Sequence, residues 1–457
     1  MRFTLFERLF AFLCVAVVGT ATLTMDARAQ GASVNRVPEA ETFVDLLAAG
    51  DFSSAFARFD PQMQAGLPEA QLKSIWATIQ AQAGPYRNRL TARAEKAGAY
   101  DVVFVPCDFE KARLDAKIVF DSEGWIAGLF FVPVPSLAGP EWQAPDYVKP
   151  DSFHEQDMTV GSGEWALPGT PALPVGPGPF PALVLVHGSG PHDRDETIGP
   201  NKTFRDLAQG LASRGIAVLR YEKRTKAHGK KMAGMTSLKV KEETVDDAVA
   251  AVAAVAGVTG IDPHAVFVLG HSLGGTVIPR IAARTPDAAG YIVLAGATRP
   301  LEEVALEQVA YLMTLDSAGP DEMKQLESMK MELEKVKALD PANADTSATF
   351  LGVPTAYWLD LRSLKPAEAA REIKQPMLIL QGERDYQVTM TDFRNWKEAL
   401  GKRSNVTLVS YPDLNHLFVT GTGRSTPAEY LVAGHVSGTV VDRIARWVGE
   451  VAGKGKE

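Results

Sequence analysis

From about Ser152 onward, short runs of almost uninterrupted apolar residues alternate with longer stretches in which apolar positions recur every three or four residues. Ala182–Val186, Ala217–Tyr221, Val266–Leu269, Tyr291–Leu294, Met377–Leu380 and Val406–Tyr411 are of the first kind, as strands buried on both faces require. Phe204–Arg214, Val245–Val255, Leu273–Arg284, Asp392–Leu400 and Val440–Val451 are of the second kind and predict helices. This alternation predicts an α/β fold, a mainly parallel sheet flanked by helices. One stretch, Leu301 to about Arg371, breaks the rhythm with helix-forming Glu, Leu, Met and Lys and no clear strand. Inserted between two sheet strands, it would lie at their carboxyl ends, where open α/β sheets bind ligands. It reads as a helical lid; the alternative is a decorative insertion remote from the site.

Before Ser152 the pattern differs. Helices are predicted around Glu39–Leu47 and Pro68–Gln82, then strands at Tyr100–Val105, Leu114–Phe120 and Trp125–Phe131, with Asp121-Ser122-Glu123-Gly124 as a turn. Leu114, Ala116, Ile118 and Phe120 alternate with polar residues, as a half-buried strand does. These features predict a small α+β domain over residues 38–135, a proline-rich linker over 136–151, and a second domain over 152–457.

Residues 1–29 form neither domain. Arg2 and Arg8 precede an apolar run from Leu9 to Val18, followed by Ala27-Arg28-Ala29. A basic start, a short apolar core and a small-x-small exit predict a secretory signal cut after Ala29. The apolar run falls short of the ~20 residues that span a bilayer, so stable membrane insertion is not expected. Cleavage would remove Arg2, Arg8 and Arg28 with Glu7 and Asp26, moving the formal charge from -8 to -9. An acidic chain without a basic block carries no electrostatic footprint for nucleic acid or anionic lipid. Only Cys107 would remain, which excludes an internal disulfide and reads as a small buried apolar residue.

The strongest chemical signal is Gly270-His271-Ser272-Leu273-Gly274, directly after a predicted strand and before a predicted helix. A nucleophile on so sharp a turn needs small neighbours, because side chains at Gly270 and Gly274 would collide across the bend. The helix opening at Leu273 aims unpaired amides and its positive dipole end at the place where negative charge develops. The Leu273 amide is therefore the first candidate oxyanion donor, and Ser189 or Gly190, in His187-Gly188-Ser189-Gly190-Pro191, the second. His187 itself reads as a packing residue at a strand end.

A serine hydroxyl needs a base, and the base needs a carboxylate to hold it and stabilise its charge. In folds with this elbow the order along the chain is serine, acid, histidine. After residue 272 only His416 and His435 are available. His416 follows the last predicted strand, where a loop can return it to the serine; His435 reads as a surface residue. Asp385, just beyond the strand Met377–Leu380, is the candidate acid, with Glu383 and Asp413 as rivals.

Together these motifs resemble the α/β-hydrolase superfamily of serine esterases and peptidases over roughly residues 155–455. The segment from His187 to Lys202, with Arg220-Tyr221-Glu222-Lys223-Arg224-Thr225, resembles more narrowly a bacterial carboxylesterase group. The region before it is similar to a small domain of unknown function that precedes such hydrolases. The resemblance implies that Ser272 attacks a small-molecule ester, His416 acts as base and then acid, and Asp385 orients the imidazole. It implies no metal and no organic cofactor. His187-Gly188 departs from the multi-glycine oxyanion loop of some esterases. Asp193-Arg194-Asp195-Glu196 with Arg220, Lys223 and Arg224 would either fix a substrate carboxylate or shape the oxyanion loop through ion pairs, or else be solvated loop charge or a network tying two loops together, and the structural reading is preferred. A peptidase with the same triad, a thioesterase, and a non-catalytic protein that keeps the fold are the competing functions.

Overall fold

The computed structural model describes residues 36–97, 100–110, 113–133, 142–232, 235–315, 320–345 and 348–454, so the expected signal segment lies outside the described residues. The chain divides into two compact units, the second beginning at Trp142.

In the first unit, helices α1 (Val37–Ala49), α2 (Phe52–Phe56), α3 (Pro61–Gly66) and α4 (Glu69–Ala83) precede strands β1 (Tyr86–Arg89), β2 (Arg93–Ala97), β3 (Tyr100–Phe109), β4 (Arg113–Phe120) and β5 (Ile126–Pro133). The antiparallel sheet runs β1-β3-β4-β5, with β2 also paired to β3. Phe43, Leu47 and Trp76 pack with Val103, Val105, Ile118 and Phe120 to close the core. Cys107 lies within it, and burial pushes its thiol up to about 12. Four elements here carry too little pattern to be predicted. The α2 and α3 helices are single turns fixed by side-chain caps, Asp51 accepting from Ser54 N and Asp60 from Met63 N. Strands β1 and β2 read Tyr-Arg-Asn-Arg and Arg-Ala-Glu-Lys-Ala, without apolar alternation, because both pair with β3 at the margin of the sheet.

The second unit contains β6 (Phe153–Glu155), β7 (Met158–Val160), β8 (Leu167–Pro174), β9 (Phe180–Val186), β10 (Thr197–Ile198), β11 (Asn201–Lys202), α5 (Thr203–Ala212), β12 (Ala217–Tyr221), α6 (Arg224–Ala227) and α7 (Gly229–Met232). A π-helical turn, Lys241–Val245, leads into α8 (Asp246–Ala256). Then follow β13 (Ile261–His271), α9 (Leu273–Thr276), α10 (Ile278–Ala282), β14 (Gly290–Leu294), α11 (Leu301–Met313), α12 (Pro320–Lys337), β15 (Thr349–Phe350), β16 (Val353–Pro354), α13 (Thr355–Arg362) and α14 (Pro366–Ala369). Strand β17 (Met377–Gly382), α15 (Met390–Leu400), β18 (Val406–Tyr411) and α16 (Gly438–Lys454) complete it.

The sheet order is β18-β17-β14-β13-β9-β12-β8-β6, with β7 also paired to β8. From β12 to β18 every pairing is parallel, and apolar side chains on both faces meet helices in two separate cores. The antiparallel extension β6, β7 and β8 was not anticipated. Pro168, Gly169, Pro171 and Pro174 lie within β8 and disguise it, since proline and glycine are normally sparse in strands. The expected helix Leu273–Arg284 is two pieces, α9 and α10, with Pro279 in the first turn of the second. Of the expected linker 136–151, residues 136–141 lie outside the described residues. The remainder is fixed to the second unit: Tyr147 donates its hydroxyl proton to Val436 O at 2.8 Å, and Lys149 N donates to Ser213 Oγ at 2.8 Å. The described part of the insertion between β14 and β17 consists mainly of helices α11 to α14, with the short β15–β16 pair among them.

Candidate active site

Ser272 stands between β13 and α9 with φ 53° and ψ -117°, a conformation that costs a non-glycine residue about 1–3 kcal/mol. Its own amide donates to Leu294 O at 2.9 Å, and its carbonyl accepts from Thr276 N at 2.9 Å, so sheet and helix both hold the turn. Gly270 and Gly274 are obligatory here. A Cβ on Gly270 would lie 2.2 Å from the Gly274 carbonyl, and one on Gly274 would lie 2.2 Å from Val186 O. Leu273 contributes the first amide of α9, at the helix end where N–H groups lack intrahelical acceptors.

Asp385 follows β17. Its Oδ1 accepts from Gln387 N at 2.7 Å and Val388 N at 2.9 Å, while Oδ2 accepts from Gln381 Nε2 at 3.1 Å and pairs with His416 Nδ1 at 2.7 Å. Four contacts fix the carboxylate in one orientation. His416 sits in the loop after β18, which Asn415 shapes by accepting from Leu417 N and Val419 N. Ser272, Asp385 and His416 are all buried, and Ser272 and His416 line one cavity with Gly188, Ser189, Gln387 and Tyr430.

Ser272 also lines a second cavity. Leu273, Ala297, Leu301, Val304, Leu361, Leu364, Pro366 and Val388 give it an apolar wall, much of it from the insertion. Leu301–Arg371 therefore borders the site. Ser189 lines both cavities and Gly190 lines neither of them.

The rival residues are elsewhere. Glu383 is exposed and accepts from Ser410 Oγ at 2.7 Å; Asp413 is an exposed turn residue. His435 is bonded to Asp206 at 3.1 Å. His187 packs on Phe204 and Tyr221, and burial depresses its pKa to about 3.

The charged segment is a buried network rather than solvated loop charge. Arg220 pairs with Asp195 and Glu155, Arg224 with Asp247, and Lys223 with Glu243. Glu196 accepts from Gly188 N at 2.7 Å and from His271 Nδ1 at 2.8 Å, and His271 Nε2 meets His416 O at 3.0 Å. Burial works to raise the Glu196 carboxyl, but His271, with His192 and His187 nearby, brings it down to about 2. Burial works to lower His271, and Glu196 outweighs it and raises the ring's pKa. Both directions favour the charged forms of this buried carboxylate–histidine pair. Sequence reasoning placed His271 only as an elbow residue and Glu196 only in a charge run; their 75-residue separation carries no local signal.

Comparison with known proteins decides the family. Residues 179–421 match the family described as serine aminopeptidase, S33. Over 410 residues the chain is 42% identical to Esterase EstD of Thermotoga maritima, covering 90% of this chain and 94% of that one.

The chain belongs to this α/β-hydrolase family. Residues 40–129 of this hydrolase match a family of unknown function, DUF3887. Solved structures are more distant. An esterase from Pyrobaculum calidifontis is 17% identical, with 65% of this chain and 86% of that one covered and a TM-score of 0.43. Est1E from Butyrivibrio proteoclasticus is 15% identical, with 65% and 99% covered and a TM-score of 0.41. Among the described residues of the hydrolase, no group of three or more His, Cys, Asp or Glu side chains is arranged to hold a metal ion, and no helix is long and apolar enough to cross a membrane.

Proposed function

We propose that this hydrolase is an exported serine carboxylesterase with Ser272 as nucleophile, His416 as general base and acid, and Asp385 as the carboxylate that orients the imidazole. The reading is carried by one observation: His416, paired with Asp385 at 2.7 Å, lines the same cavity as the serine of a strained strand-to-helix turn.

In the proposed cycle His416 takes the Ser272 proton as Oγ attacks the ester carbonyl, and Asp385 stabilises the resulting imidazolium. The Leu273 amide and the Ser189 amide receive the developing oxyanion. Gly188 is not the donor, since its N–H is already given to Glu196. Collapse of the intermediate sends the His416 proton to the leaving alkoxide, and the acyl-enzyme is hydrolysed by water activated in the same way. Since His416 must reach the leaving oxygen, the alcohol portion belongs in the cavity lined by His416, Gln387 and Tyr430. The acyl portion then occupies the apolar cavity under Leu301, Val304, Leu361 and Leu364.

A peptidase is the second reading, because the family description names serine aminopeptidases. An aminopeptidase needs an anionic group for the substrate ammonium. Glu196 is the carboxylate among the described residues lining the two cavities, and both its oxygens are engaged by Gly188 and His271. This favours the ester. The leader pattern of residues 1–29 supports export, which N-terminal sequencing of the protein from the periplasm would test; an intact leader there would remove the proposed cleavage.

Hydrolysis of p-nitrophenyl esters from acetate to long chains, beside an aminoacyl p-nitroanilide series, tests the assignment. Ester turnover that vanishes in Ser272→Ala is the expected result. Amide cleavage in preference to ester would transfer the site to the peptidase reading, and inactivity on both series would leave a non-catalytic binding protein.

A further inference from the structure

The oxyanion loop is held from below by a charged residue that the proposed cycle does not use. Lys223 is 2% exposed, and its Nζ donates to Gly188 O at 2.7 Å. The same ammonium pairs with Glu243 Oε1 at 2.7 Å, and Glu243 is 5% exposed. The second Glu243 oxygen accepts from Thr244 Oγ1 and from the Tyr357 hydroxyl, each at 2.8 Å. Tyr357 lies on α13 of the insertion, one turn before Leu361, which lines the apolar cavity at Ser272.

This arrangement is costly unless something requires it. Burying a lysine and a glutamate carries a desolvation penalty that their attraction must return, and apolar residues would often serve stability as well. Glu243 also sits in the π-helical turn Lys241–Val245, an irregularity that is frequent at functional sites. Gly188 itself is pressed against the nucleophile: a Cβ there would lie 3.1 Å from Ser272 Cβ. Its N–H is fixed by Glu196 and its C=O by Lys223, so charged groups set the rotation of both peptide planes flanking the residue. The Gly188 C=O shares its plane with the Ser189 N–H, because the peptide unit is rigid. Whatever holds that carbonyl aims that amide.

We infer that Lys223 is a positioning residue for the oxyanion hole, and that Glu243 and Tyr357 tie this positioning to the lid helix α13 over the acyl cavity. The inference rests on the catalytic reading above, because it takes Ser189 N as an oxyanion donor. Lys223 acts through the Gly188–Ser189 peptide and touches no reacting atom.

The test must separate aiming from folding. Lys223→Met alone would strand the Glu243 carboxylate, so the informative variant is Lys223→Met/Glu243→Gln, which removes both charges together. Its turnover of a short-chain p-nitrophenyl ester, its rate of phosphonylation at Ser272 by a fluorophosphonate, and its Tm are measured on the full chain. Loss of one oxyanion donor costs roughly 10²–10³ in kcat, and a misaimed one should cost at least about tenfold. The expected result is kcat and phosphonylation both reduced at least about tenfold with KM within about twofold. The neighbouring pair Arg224–Asp247 is a control: Arg224→Gln/Asp247→Asn should shift Tm and leave kcat unchanged. Wild-type kcat in a folded Lys223→Met/Glu243→Gln variant would overturn the inference. Should that variant not fold, Tyr357→Phe removes only the tie to the lid and should lower kcat roughly threefold to tenfold at unchanged KM, the scale of one lost hydrogen bond; no change would overturn the coupling. If the wild type is phosphonylated at Ser272 but hydrolyses no ester, the substrate assignment falls and the comparison of labelling rates still decides the role of Lys223.

Discussion

Two carboxylate–histidine pairs lie side by side near Ser272, and they differ in the hydrogen bonds that hold each one. Asp385 holds His416 Nδ1 at 2.7 Å and Glu196 holds His271 Nδ1 at 2.8 Å; the two rings are 4.8 Å apart and both are buried. His271 spends its second nitrogen on His416 O at 3.0 Å, so neither of its nitrogens is available to accept a proton from a serine. His416 and His271 both line the cavity that Ser272 lines. In the proposed cycle the same two residue types thus supply a proton acceptor at His416 and a fixed brace at His271. His271 is committed at both nitrogens, and three further donors hold Asp385 where Gly188 N holds Glu196.

The sharpest break of this comparison is Asp385→Asn, which keeps the shape of the pair and removes its charge. We expect kcat to fall by about 10⁴, the scale of losing the group that sets the imidazole's tautomer. A fall below tenfold in steady-state ester hydrolysis would take the acid role from Asp385.

Acidification should act next, on stability. His187 has a folded pKa depressed to about 3 by burial, and Glu196 one lowered to about 2, against ordinary values of 6.5 and 4.5. Below pH 6.5 the unfolded chain takes up a proton at His187 that the folded chain refuses, and below pH 4.5 the same holds for Glu196. Stability should therefore decline as pH falls from 6.5 toward 3, with His187 alone contributing at most about 1.4 kcal/mol per pH unit. His271, with its raised pKa, works in the opposite sense: its contribution is complete below 6.5 and is lost as pH rises through its folded value. Denaturant titrations at pH 6.5, 5 and 4 would show the decline, and His187→Gln should flatten it; an unchanged slope in that variant would assign the acid limb elsewhere.

Glu196→Gln should have a smaller effect on catalysis. Glutamine can still accept from Gly188 N, and loss of the carboxylate lets His271 become neutral, so the net charge beside His416 is preserved. Turnover is expected to fall less than about tenfold while denaturant stability drops, as loss of a buried charged hydrogen bond implies. A loss matching Asp385→Asn would mean that the second pair takes part in proton transfer. At the bottom of the scale, His435→Gln should leave kcat unchanged, since His435 is bonded to Asp206 rather than to any of the three site residues.

Much of this site was legible along the chain. The elbow could be read because Gly270 and Gly274 answer a local steric demand, each meeting backbone at 2.2 Å if given a Cβ. Asp385 and His416 could be read because each follows a strand that local hydrophobicity reveals. Strand β8 was hidden by its prolines, and β1 and β2 by their polar residues, since pairing at a sheet margin leaves no apolar alternation.

The sequence by itself determined the parallel sheet and the sharp turn at Ser272, because these depend on steric and hydrophobic constraints acting within a few residues. Only the tertiary structure decided that Asp385 rather than Glu383 meets His416, that Ser189 rather than Gly190 lines the cavities at Ser272, and that Glu196 and Lys223 hold the two sides of Gly188, with Glu243 and Tyr357 behind Lys223. A charge reads the same in a sequence whether it is solvated or buried. Its meaning is set by the partners that folding brings to it across tens or hundreds of residues, where desolvation makes every pairing count.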